Sequence, residues 1–161
     1  MRVKMVIMLA QLKDAPIIHD VMLQAFKEYE HATPPSSALN ETVESIKKDM
    51  ERGEYAFIAY LDEQPVAMVR FTFSDHSVYF FRLSVIPSKQ GQGLAKALLK
   101  ELEHQALANG KTISKCKVRM SVPRNIELYR SLGYVITKEE KSENLNGFSL
   151  SIVTMEKQLT K

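Results

Sequence analysis

The sequence predicts a mixed α/β fold of about seven strands and about four helices. Two observations carry this. Three alternating apolar runs, 55–62, 66–73 and 78–86, are separated by turns short enough to imply an antiparallel meander. A helical run at 92–109 then separates the strand pattern at 78–86 from another at 115–122, which makes a central parallel pair with a crossover helix. The 161 residues, 45% apolar and 25% charged, suit one domain over 1–161 with a single core and a solvated surface.

The first strand is read over 3–11. A charge at Lys13 and the lack of a small-residue cleavage site argue against a signal peptide there. Asp14 is the expected N-cap of the first helix, with Pro16 in the first turn, where its missing N–H costs nothing. Ile18, Val21, Met22, Ala25, Phe26 and Tyr29 follow at helical spacing and carry the helix to Tyr29. Pro34 and Pro35 make 30–40 a loop. Asn40 is the expected cap of a second helix, in which Val43, Ile46 and Met50 form a narrow apolar stripe before Gly53.

In the meander, the turns fall at 62–65 and 74–77. Ala67, Val69, Phe71 and Phe73 share one strand face, and Met68, Arg70 and Thr72 the other. Tyr79, Phe81, Leu83 and Val85 share a face of 78–86. The helix at 92–109 presents Ala95, Leu98, Leu99, Leu102 and Ala106 on its apolar side and ends at Gly110. After the strand at 115–122, Pro123 opens a short helix through Leu132, closed by Gly133. Strands at 134–139 and 148–156 finish the chain, joined by a polar turn at 140–147. The last strand alternates regularly and is a candidate dimer edge, although a monomer fits as well.

Composition narrows the function. A net charge of +3 favours an anionic ligand but is too weak to imply nucleic acid. The basic cluster at 115–119 alternates with apolar residues, as a solvated strand face does. A single cysteine, Cys116, excludes a disulfide framework. The four histidines (19, 31, 76 and 104) lack ligand spacing, so no metal is expected. No apolar run approaches the length of a membrane span, and the expected location is the cytoplasm.

The stretch VIPSKQGQGLAKALL, 85–99, joins the end of a strand to the start of a helix through a glycine-rich turn. A helix start offers free N–H groups and the positive end of the dipole. Gly91 and Gly93 either make only a tight turn or let a phosphate approach the backbone. A P-loop would need Gly-Lys-Ser/Thr after its second glycine, and GLA fails this. A Rossmann fingerprint would need a third glycine and an early position in the chain, and GQGLAK has neither.

LSVIPSKQGQGLA, 83–95, resembles the acetyl-CoA signature of the GNAT superfamily of N-acyltransferases. The core pattern Gln/Arg-x-x-Gly-x-Gly/Ala is met by Gln90, Gly93 and Ala95. The resemblance implies a GNAT-like fold and acetyl-CoA as cosubstrate. It implies that backbone N–H groups of Gln90, Gly91, Gln92, Gly93, Leu94 and Ala95 hold the CoA pyrophosphate. It also implies that the backbone of Leu83 and Val85 pairs with the pantetheine arm as an added strand would. Lys89 and Lys96 flank the turn, either as phosphate partners or as solvated surface lysines.

NIELYRSLGYVI, 125–136, is similar to the family segment ending in Leu-Tyr-x-x-Leu-Gly-Phe/Tyr. Tyr129 matches the tyrosine that family members often place by the CoA sulfur, which implies a general acid for the departing thiolate. The alternative is a tyrosine packed in the core. Many members carry an asparagine seven residues earlier. Val122 stands there instead, and Asn125 either contacts CoA or serves the helix start.

The family's reaction is direct attack of an amine on the acetyl carbonyl, so the implied partners are acetyl-CoA and an amine acceptor, a small molecule or a protein amine. The oxyanion donor would be a backbone N–H near Leu83 or Ser84, freed by a kink in that strand. No carboxylate lies in 78–86 to serve as base. Tyr79 or a water chain, or Glu28, Glu30 and His31, are the candidates, and each is also readable as an ordinary surface residue. Arg82 would meet an acidic substrate group or simply form an ion pair. The loop at 30–40 falls where the family builds its acceptor wall. A non-catalytic acyl-CoA sensor, or an interaction module on the same fold, is the alternative function.

Overall fold

The computed structural model describes residues 4–27, 37–143 and 149–160. Along the chain these form β1 (Met5–Leu9), α1 (Ala15–Phe26), α2 (Val43–Glu51), β2 (Tyr55–Leu61), β3 (Gln64–Phe73) and β4 (Ser77–Val85). Then come α3 (Leu94–Ala108), β5 (Ile113–Arg119), α4 (Pro123–Ser131), β6 (Val135–Glu143) and β7 (Ser149–Gln158). The order of elements is the predicted one. The strands make one seven-stranded mixed sheet, ordered β1-β2-β3-β4-β5-β7-β6. The β1–β2 and β2–β3 pairs are antiparallel. The pair β4–β5 is parallel, with Ser77, Val78 and Tyr79 against Ile113, Ser114 and Lys115.

The chain divides into two compact units, Met1–Thr72 with Phe81–His104 and Phe73–Phe80 with Gln105–Lys161. In the first unit, α1 and α2 pack on the inner sheet strands through Ile18, Val21, Met22, Ile46, Ile58 and Met68, all fully buried. The β2–β3 hairpin closes tightly, and its register shifts once, between Ala59 and Tyr60. Asp62 and Glu63 both take positive φ, 47° and 71°, between the paired Leu61 and Gln64. Those two angles are what a two-residue loop needs to match the strand twist.

In the second unit the core comes from Val78, Phe80, Cys116, Val118, Tyr134, Val153 and Met155. α4 ends where Gly133, at φ 99°, lets its own N–H reach the Arg130 carbonyl (3.0 Å) and the Tyr134 N–H reach the Tyr129 carbonyl (3.0 Å).

Several local expectations change. Thr42, not Asn40, caps α2: its Oγ1 accepts from the Ser45 N–H (3.0 Å), and the Ser45 Oγ accepts from the Thr42 N–H (2.9 Å). Asn40 lies in a 3-10 turn, Ser37–Asn40. Asp14 holds the N-cap position of α1, but its carboxylate turns back to accept from the Gln11 N–H at 2.8 Å. β5 starts and ends earlier than the expected 115–122, and β6 continues through 140–143, part of the expected turn. β7 is no edge: it pairs with β5 on one side and β6 on the other, both antiparallel. Leu94 rather than Ala95 opens the buried side of α3. Tyr29 lies outside the described residues.

Candidate active site

The strand–turn–helix at the opening of α3 lies in the first unit. Pro87–Lys89 forms one 3-10 turn, with the Lys89 N–H on the Ile86 carbonyl at 2.9 Å. Gly91 and Gly93 both take φ 80°, a left-handed conformation that costs other residues a clash with their own Cβ. A Cβ built at either glycine meets nothing within 4 Å, so open space lies in front of this backbone. The Gly93 carbonyl accepts the Ala97 N–H at 3.0 Å, which begins the helix. The N–H groups of its first turn have no carbonyl one turn back to bind. Gln90, Gly91, Gln92 and Gly93 are exposed, Leu94 is buried and Ala95 half-buried. The Gln90 side-chain amide donates to the Val85 carbonyl at 3.3 Å, tying the turn to the end of β4. Lys89 is half-buried and Lys96 exposed.

Leu83 and Val85 are half-buried on β4, directly before this turn. The strand is kinked just ahead of them: Arg82 takes φ 54°. The expected irregularity is therefore present. Fully buried Ser84 donates its hydroxyl to the Arg82 carbonyl at 2.8 Å. Arg82 itself is in an ion pair, Nε to Glu41 Oε2 at 2.9 Å.

Behind that pair stands a cluster that the sequence reading missed. Arg70, only 1% exposed, donates to Glu41 (2.7 Å), to both oxygens of Glu54 (2.7 and 3.2 Å) and to Asp49 (3.2 Å). Its guanidinium also lies 5.2 Å from the centroid of the Phe81 ring. Burial pulls the Arg70 guanidinium down, but the hydrogen bonds and charges of Glu54 and Glu41 outweigh it and hold the group above its ordinary range. Burial raises the Glu54 carboxyl despite Arg70. One signal was available: β3 is buried on both faces, and a charge in such a strand demands counter-charges.

Tyr129 and Asn125 share α4, in the second unit. Tyr129 is 7% exposed and meets the Phe80 ring edge-on, with centroids 5.5 Å apart. Tyr134 meets Phe80 in the same manner at 5.8 Å and bonds its hydroxyl to the Ser114 hydroxyl at 2.7 Å. Asn125 is half-buried in the first turn of α4, its N–H on the Val122 carbonyl at 3.1 Å. Tyr79 is half-buried on β4. Glu28, Glu30, His31 and most of the loop at 30–40 lie outside the described residues. No helix among the described residues is long and apolar enough to cross a membrane.

Known proteins bear on these features. The Acetyltransferase (GNAT) family matches residues 19–134. No curated protein matches the chain by sequence. Among solved structures, the ribosomal-protein-S18-alanine N-acetyltransferase of Escherichia coli aligns with a TM-score of 0.79 at 20% identity, over 98% of this chain and 96% of that one. yncA of Salmonella typhimurium, solved with acetyl-CoA, aligns at 0.75 and 21% identity, over 98% and 95%. The PaiA N-acetyltransferase of Thermoplasma acidophilum, solved with coenzyme A, aligns at 0.78 and 15% identity, over 96% and 99%. At these identities the likeness is one of fold.

Proposed function

The chain belongs to the acetyltransferase (GNAT) family, and from that premise we propose that it is an N-acetyltransferase carrying acetyl from acetyl-CoA to a primary amine. The observation that carries this is the left-handed pair Gly91 and Gly93, open in front, at the start of α3. Two glycines so placed present successive N–H groups to an anion at a helix N-terminus, which suits a pyrophosphate. Fold neighbours solved with acetyl-CoA or coenzyme A support the same ligand class.

In this reading the backbone from Gln90 to Ala95 holds the pyrophosphate. Leu83 and Val85 offer backbone groups to the pantetheine arm, and Asn125 adds a polar contact. The amine nitrogen attacks the acetyl carbonyl carbon, and an N–H near Leu83 or Ser84 receives the oxyanion. The C–S bond then breaks, and Tyr129 gives its hydroxyl proton to the leaving sulfur. The acetyltransferase domain is taken as 1–161. The amine's proton leaves through Tyr79 or a water chain, since 78–86 carries no carboxylate.

The test is incubation with acetyl-CoA and a broad panel of amines, following both CoA binding and thiol release. No binding would sink the proposal. Binding without release on any amine would point to an acyl-CoA sensor instead. Tyr129→Phe is expected to lower kcat by about a hundredfold while CoA affinity stays within about threefold. Unchanged turnover would return Tyr129 to a packing role beside Phe80.

A further inference from the structure

Arg82 is the only non-glycine residue with positive φ inside a strand among the described residues, since Asp62 and Glu63 form a hairpin loop. An L-residue avoids this region because its Cβ crowds the neighbouring carbonyl. Such a conformation persists only where surrounding contacts impose it. Glycine would adopt it freely, yet the position carries arginine.

Contacts at the side chain and at the carbonyl, among others, hold this one residue. Glu41 Oε2 takes the side-chain Nε at 2.9 Å, and the buried Ser84 hydroxyl takes the carbonyl at 2.8 Å. The Glu41 grip is itself fixed, because its other oxygen accepts from Arg70 at 2.7 Å. Arg70 in turn is immobilised by Glu54 and Asp49. A long charged side chain at 82 therefore has a use that glycine lacks: it can be held.

We propose that Glu41 and Ser84 are positioning residues that clamp Arg82 in its left-handed conformation and so aim the backbone of 83–85. The catalytic consequence rests on the reading above, in which 83–85 meets the acyl arm and the oxyanion. The clamp itself is a property of the folded first unit.

The experiment uses the full chain with Ser84→Ala, Glu41→Gln, the double variant, and each of these in an Arg82→Gly background. Crystal structures report φ at residue 82 without any substrate. The double variant is expected to return φ to the negative, extended region; a φ still positive overturns the clamp. Acetyl-CoA kcat/KM is expected to fall by about tenfold or more in Ser84→Ala. In the Arg82→Gly background, where positive φ needs no clamp, Ser84→Ala is expected to change it by less than about twofold. A merely structural role would give the same loss in both backgrounds, and that result overturns the proposal, as does an unchanged Ser84→Ala. Because Glu41 also supports Arg70, Ser84→Ala is the decisive variant should the Glu41 variants fold poorly. A wild-type chain that binds no acetyl-CoA in calorimetry overturns the transferase reading instead, and φ at residue 82 still decides the clamp.

Discussion

Replacing Arg70 by Met puts the buried ion cluster under direct strain. Arg70 makes four contacts to three carboxylates, at 2.7, 2.7, 3.2 and 3.2 Å. Met occupies much of the same stem volume but supplies neither charge nor donors. The acids left behind differ in what they lose. Asp49, 40% exposed, can rehydrate and contributes little. Glu41 keeps its bond to Arg82 at 2.9 Å. Glu54, 8% exposed, loses both of its bonds to Arg70 and stays inside. Stranding one partner of a buried pair costs about 3–5 kcal/mol, and with Glu41 still paired the lower end, about 3 kcal/mol, applies. For a chain of this length that lowers Tm by about 6–12 °C.

The pH dependence makes the reasoning refutable. Burial, the largest influence, already holds the Glu54 carboxyl above its ordinary 4.5, while the hydrogen bond and charge of Arg70 pull it partly back. In the Met variant only the raising influences remain: burial, Asp49 and Glu41. An acid with a raised folded value binds its proton more tightly folded than unfolded. Its stability contribution is complete below 4.5 and is lost as pH rises through the raised value. That window is wider in the variant, so the Tm gap to wild type should narrow between about pH 7.5 and about pH 5. Thermal melts at the two pH values measure it. Equal Tm values near neutrality, or a gap that widens in acid, would refute the account.

Two further outcomes follow from local geometry. Gly93→Ala must hold a Cβ at φ 80°, in the space facing the proposed pyrophosphate, so acetyl-CoA affinity should fall at least about fivefold in calorimetry with the far-ultraviolet spectrum unchanged. An unchanged Kd would remove that turn from the site. Cys116 is buried, and burial pushes its thiol up to about 12. An aromatic disulfide reagent at neutral pH should leave native protein unlabelled and react fully in urea, whereas fast native labelling would contradict that burial.

Element order was legible because its signals are local. The α3 stripe and the Gly and Pro punctuation act within a turn or two of themselves. The cap of α2 was misplaced because Asn40 and Thr42 are both good capping residues, and the deciding partner is Ser45 rather than the usual Glu or Gln at that spacing. The place of β7 could not be read, since alternation describes a strand's faces and not its neighbours.

The proposed site divides along the same line. At Gly91 and Gly93 the backbone demand selects the residue type, so the demand is written in the sequence. At Arg82 the same left-handed demand is met by a residue that does not favour it. Contacts impose it there: Ser84 is two residues away and carries no recognisable pattern, and Glu41 is 41 residues away. Arg70, which fixes Glu41, finds its acids 16, 21 and 29 residues distant. A conformation enforced by remote side chains leaves no trace at the position that adopts it. The kink next to the segment proposed to meet the acyl arm was therefore expected only from family resemblance, and its support became visible only in the folded first unit.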